Sequence, residues 1–169
     1  MREALRESAT AGSLLAVVGA LAVATGRPFL FPSLGPSAFL LATRPSAPTS
    51  APRRVAGGHA VGVAAGLVAY HALASGMVLT APPTRLTAAS AALAVSGVAS
   101  VALTTAGMAA ADLRHAPACA TTLIVSLGLL SSLADALLVV AAVAVLLATH
   151  RALLAADVAP VGPVAERAK

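Results

Sequence analysis

The sequence predicts an all-α, polytopic helical membrane protein, and three observations carry that prediction. Hydrophobic residues make up 59% of the 169-residue chain against 10% charged, and the mean hydropathy of +0.92 lies outside the range of soluble domains. Most of the apolar residues fall into runs long enough to cross a hydrocarbon core of roughly 30 Å as helices. Aromatic residues are only 2%, with no Trp, while small residues dominate. Small side chains let helix backbones approach closely, which is how helices associate in lipid once burial from water no longer drives them together. One membrane domain over residues 1–169 is expected.

Residues 1–7 carry Arg2, Glu3, Arg6 and Glu7 and lead into an uncharged run, 8–26, of spanning length. A cleaved signal peptide competes for this run, although its apolar part is long for a signal and its many small residues make any cleavage site uninformative. After Arg27, the uncharged segment 28–43 is interrupted by Pro28, Pro32, Gly35 and Pro36 and cannot be one regular helix. Proline suits a first helical turn, so the helical part is expected to open at Pro36 with Ser33 or Gly35 near its cap. That leaves roughly 12 Å of helix before Arg44. Residues 44–54 form a Pro-, Ser- and Arg-rich loop, and 55–75 form the next spanning helix. In it Gly58, Gly62 and Gly66 share one face, a close-packing stripe that serves either a neighbouring helix of the same chain or a homo-oligomer interface.

A loop at 76–85 precedes a fourth segment, 86–106, with Ser96, Ser100 and Thr104 on one face. Such a stripe bonds to a neighbouring helix or its own backbone, or lines a solvated path. Residues 107–115 are a charged break, 117–130 a short helix, and the last helix opens from Ser131 onward, where Ser132 and Asp135 have capping-box spacing. It is expected to end near His150 and Arg151, and 152–169 is a polar tail expected to be disordered.

Pro36 and Pro117 lie 81 residues apart, and each follows a break and opens a short helix of small residues. The order of elements is the same in each half: full helix, broken segment with half-helix, full helix. The expectation is therefore two three-helix repeats, 8–75 and 86–151, and about six membrane segments. Six crossings place Arg2, Arg6, Arg44, Arg53, Arg54, Arg114, Arg151, Arg167 and Lys169 on one side, nine of the eleven basic residues, with Arg27 and Arg85 opposite. The positive-inside tendency then makes both termini cytoplasmic in a cell membrane. With re-entrant half-helices and only four spans, Arg44, Arg53 and Arg54 would face outward. Three crossings per repeat make the repeats inverted, an arrangement in which half-helix N-termini meet near the midplane and aim amides and dipole ends at an anion.

Three stretches carry a family resemblance: Pro32-Ser33-Leu34-Gly35-Pro36-Ser37-Ala38, Pro52-Arg53-Arg54-Val55-Ala56-Gly57-Gly58-His59, and His115-Ala116-Pro117-Ala118-Cys119-Ala120-Thr121-Thr122. With the helices between them, residues 10–150 resemble the HPP family of integral membrane proteins, named for a His-Pro-Pro motif. Here that motif is His115-Ala116-Pro117, with Ala116 replacing the first proline, and Cys119 stands where glycine is common. The family is usually described with four spanning helices, and nitrite transport is associated with chloroplast and cyanobacterial members. The resemblance thus implies a transporter or channel for nitrite or a similar small anion.

An anion in low dielectric needs hydrogen-bond donors and a positive field that still let it leave. The candidate substrate-binding residues are Ser33, Gly35, Pro36, Ser37, His59, His115, Pro117, Thr121 and Thr122, with backbone amides at the helix starts supplying the field. For His115 the competing reading is an interfacial position beside Asp112 and Arg114, and for His59 a head-group contact after Arg53 and Arg54. His71 and His150 are expected at the interface, and Cys119 as a packing residue. One cysteine excludes an internal disulfide, and four scattered histidines lack metal-ligand spacing, so neither metal nor cofactor is expected. No phosphate loop, serine–histidine–acid set or carboxylate pair points to an enzyme. The sequence pI of 11.1 is explained by topology rather than by nucleic acid. The rival function is a non-transporting membrane module that packs with itself or a larger partner.

Overall fold

The computed structural model describes residues 1–81 and 85–159. It contains α1 (Arg2–Thr25), α2 (Leu34–Thr43), a 3₁₀ turn (Pro48–Ser50), α3 (Pro52–Leu73), α4 (Ala88–Ala110), α5 (Ala118–Ser126) and α6 (Leu133–Ala155). No strand occurs among the described residues. Helices α1, α3, α4 and α6 are 22 to 24 residues long and apolar enough to cross a bilayer. α2 and α5, at 10 and 9 residues, are each about half that span at 1.5 Å per residue.

The boundaries have local causes. The charged start expected to precede the first span is itself helical, with Glu3 in the first turn where the helix dipole favours an anion, and α1 stops at Gly26 in the left-handed region (φ 62°). α2 opens at Leu34, two residues before the expected Pro36. Proline is then the third helical residue, where its missing N–H leaves no intrahelical bond unmade. α5 ends at Ser126 rather than 130, because Gly128 (φ 82°) turns the chain toward α6. α6 is opened by a capping box: the Asp135 amide donates to the Ser132 hydroxyl and the Ser132 amide to the Asp135 carboxylate, both at 3.1 Å. α6 continues through Ala155, beyond the expected start of the tail at residue 152. The rest of that expected tail from residue 160, with its expected disorder, lies outside the described residues.

Two groups of helices form the bundle. α1 packs on α2 and α6, α3 packs on α4 and α5, α4 also packs on α5, and α3 joins the groups along α6. The main core, with Leu14 and Val18 of α1, Leu34 and Leu41 of α2, and Val139 and Leu146 of α6, lies in the first group. In the second, the glycine stripe of α3 faces α5. A Cβ on Gly58 would stand 2.9 Å from the His115 Cβ, one on Gly62 2.7 Å from the Ala118 carbonyl oxygen, and one on Gly66 2.7 Å from the Val125 Cβ.

These contacts fix directions. Gly58 meets the start of α5 and Gly66 its later turns, so α5 runs parallel to α3. Ser33 lies against Thr121 and Ser37 against His59, whereas the Leu40 carbonyl near the end of α2 accepts from Ser50, just before α3. α2 therefore runs opposite to α3 and α5. The end of α4 is tied to the start of α3, where Arg53 donates to the Ala111 carbonyl at 3.2 Å. α6 ends at this same face, with His150 beside the backbone of Leu41 and Arg151 near Pro52.

Candidate functional site

α2 and α5 meet through the polar side chains of their early turns. Ser33 stands at the cap of α2 and Ser37 one turn on, and both face inward because residues four apart share a helix face. His59 lies at the start of the third turn of α3, His115 in the turn before α5, and Thr121 in α5. All five are 0 to 1% exposed.

They form one network. Ser33 Oγ lies 2.7 Å from Thr121 Oγ1, which lies 2.6 Å from His59 Nδ1. Ser37 Oγ lies 3.0 Å from His59 Nε2, 3.1 Å from His115 Nε2 and 3.1 Å from the Ser33 carbonyl oxygen. His115 Nδ1 donates to the Thr49 carbonyl at 2.9 Å, since a carbonyl only accepts. The two imidazole rings are 5.1 Å apart, tilted by 58°. Three helices and a loop are thus joined by hydroxyl and imidazole groups.

The other expected site residues divide. Pro117 and Thr122 are buried beside the network, and the Thr122 hydroxyl has no partner. Gly35 is half-buried with open space where a Cβ would project, and Pro36 is exposed. The helix starts also differ from expectation, because the amides thought to face an anion are already bonded. Leu34 and Gly35 donate to the carbonyls of Phe31 and Pro32, and Ala118, Cys119 and Ala120 to those of His115, Ala116 and Pro117. Side-chain groups, not free amides, are what the meeting point presents. His150, expected at the interface, is 5% exposed, because the end of α6 packs on α2. His71 is exposed against Tyr70, and Cys119 is half-buried.

Sequence reasoning missed Thr49, whose contribution is a backbone carbonyl and has no residue-type signal. It also left open the role of the α4 stripe. Ser96 donates to the Ser126 carbonyl and Ser100 to the Ser126 hydroxyl, both at 2.9 Å, while the buried Thr104 hydroxyl has no partner.

Near the face where α3 starts, Arg54 donates to both carboxylate oxygens of Asp112 at 2.9 and 2.8 Å. These bonds, then the Arg54 charge, hold that carboxyl below the usual carboxylate range. A cavity of about 530 Å³ opens there between Pro52, Ala56 and His59 of α3 and Val143, Leu147 and Arg151 of α6. The buried His59 forms part of its wall. No cluster of three or more metal-ligating side chains occurs among the described residues.

Residues 1–162 match the family described as HPP, transmembrane region. No curated protein and no solved structure matches the chain. The chain belongs to the HPP transmembrane family.

Proposed function

We propose that this member of the HPP transmembrane family moves a small monovalent anion across a cell membrane, nitrite by resemblance. The anion would bind where the early turns of α2 and α5 meet. One observation carries the reading: two interrupted segments bring His115 and three hydroxyl side chains against His59 of the spanning helix α3 in one fully buried cluster. Polar and irregular structure at depth is costly in a bilayer and is kept where a polar cargo passes. In this reading the cluster is closed around itself, and an anion replaces internal bonds with bonds from the same hydroxyl and imidazole donors. The cavity beside His59, with Arg151 at its edge, is the approach from the face where α3 begins.

The order of packing supports the inverted three-helix repeats, 8–75 and 86–151. Exchanging α1 with α4, α2 with α5 and α3 with α6 turns α1–α2 into α4–α5 and α1–α6 into α3–α4, and leaves α3–α6 as the pair across the exchange; the counterpart of the α3–α5 packing is a slighter α2–α6 contact. The opposite directions of α2 and α5 also agree with inversion. Six crossings are supported because α4 and α6 end at the same face. The chain 111–132 must then travel to the far face before α6 begins. Cytoplasmic termini follow from the basic residues gathered at that end.

Uptake by purified protein in liposomes tests the function. Nitrite is expected to enter faster than into protein-free vesicles, with nitrate, formate and chloride as comparators, and no flux of any of these would overturn the reading. The bonded helix-start amides favour one rival, a non-transporting module in which the cluster only pins the bundle. A folded protein without flux is the outcome that reading requires.

A further inference from the structure

The hydrogen-bond geometry of the cluster contains six contacts: Ser33 to Thr121, Thr121 to His59, His59 to Ser37, Ser37 to His115, Ser37 to the Ser33 carbonyl, and His115 to the Thr49 carbonyl. With both imidazoles neutral, the five side chains bring one proton each, so at most five contacts are made. One added proton makes six. His115 then donates from Nδ1 to the Thr49 carbonyl and from Nε2 to Ser37 Oγ, which also accepts from His59 Nε2. Ser37 donates to the Ser33 carbonyl, Ser33 to Thr121, and Thr121 to His59 Nδ1. The neutral cluster is reached by rotating one hydroxyl, that of Ser37, from the Ser33 carbonyl to His115 Nε2. A second added proton would set two cations 5.1 Å apart and give His59 Nδ1 a proton where the chain needs an acceptor.

Among the described residues no carboxylate contacts the cluster to neutralise the added charge. α2, the 3₁₀ turn and α4 contain no charged residue, and α5 has only Cys119 as a titratable side chain. On α3 the charged side chains are Arg53 and Arg54 at its start, with His71 exposed near its end. The loop before α5 adds Arg114 and Asp112, whose carboxylate is exposed and paired with Arg54 and Arg114. α6 carries Asp135 at its opposite end, with His150 and Arg151 near its close and Asp157 exposed just beyond it; of the acids of α1, Glu3 is exposed and Glu7 half-buried, both in its first two turns. A buried cation without a counter-ion is strongly disfavoured.

We propose that the His59–His115 cluster takes up one proton together with one monovalent anion, the anion being the missing counter-ion, so that transport is electroneutral symport. This inference rests on the transport reading and is tested apart from it. Nitrite uptake into proteoliposomes is measured with the pH gradient and membrane potential set independently, subtracting uptake by protein-free vesicles. Steady-state accumulation is expected to rise about tenfold per unit of inward pH gradient, the equivalent of one proton per anion, and to ignore potential. His115→Gln, which hydrogen-bonds without titrating, is expected to lose the response to pH. Uptake that follows potential and ignores the pH gradient would overturn the coupling and leave transport standing, as would a wild-type pH response in a folded His115→Gln. No uptake under any gradient overturns both. Should that variant not fold, ring ¹⁵N signals of the wild-type histidines decide: one further imidazolium on adding nitrite at constant pH is expected, and unchanged rings overturn the proposal.

Discussion

α2 and α5 are nearly equal in length and run in opposite directions, yet α2 is wedged in place by large side chains whereas α5 is seated where side chains are absent. Leu34, Ala38 and Leu41 of α2 interlock with Leu14, Val18, Val139 and Leu146. α5 and the His115 turn before it instead lie against Gly62, Gly66 and Gly58, close enough that a Cβ added at Gly62 or Gly66 would strike α5 and one at Gly58 would strike His115. The contrast teaches that one polar cluster is held from two sides by unlike means. An interlocked helix tolerates small shifts by rotamer changes, while backbone against backbone has one fit. The two sides should therefore fail differently.

The largest break is expected from Gly62→Leu. Its side chain would begin 2.7 Å from a backbone carbonyl that cannot yield by changing rotamer, so the cost should reach or exceed the upper end of overpacking, about 3 kcal/mol. Thermal unfolding in detergent checks this. Thiol labelling of Cys119, half-buried on α5 and the only cysteine of the chain, should also accelerate. Leu34→Ala, on the other side, should cost less, about 2 kcal/mol, because the unfolded chain stays in an apolar solvent and mainly the cavity term survives. Cys119 labelling should stay as in the wild type; equal acceleration in both variants would erase the distinction between the two seats.

A smaller effect tests the tie between the start of α3 and the loop before α5. Asp112 has a folded pKa below its ordinary 3.8, so its pairing with Arg54 stabilises the protein above that value and fades as pH falls below it. The margin of wild type over Asp112→Asn is expected to be small at pH 7, as for exposed pairs, and to vanish in acid. Asn is the apt replacement because residue 112 has φ 52°, which Asn tolerates. A margin that grows on acidification would refute the assignment.

Much of this was legible in the chain because proline and glycine act locally. Pro32, Pro36 and Pro117 announce interrupted helices through a missing N–H, and Ser132 with Asp135 announces a cap. What was not legible is non-local. Ser33 meets Thr121 across 88 positions, and nothing in either residue type names the other. Pro36 and Gly35 looked like site residues because they sit in the motif, but the face of α2 that they occupy points away from the cluster, and a proline signals a break without signalling a direction. The helix-start amides misled for a related reason: a 3₁₀ turn satisfies them from the residues just before, which composition does not reveal.

The end of α5 is held by residues that follow α3: the Leu79 amide donates to the Leu127 carbonyl at 3.0 Å, while Thr49 grips His115 at the other end. α5 is therefore moored at both ends to chain synthesised before it. On the ribosome, α3 enters the bilayer with its glycine groove vacant and His59 lacking Thr121, and α4 must be threaded before α5 arrives to fill the vacancy. A chain arrested after α4 would leave Gly58, Gly62 and Gly66 uncovered and His59 without Thr121.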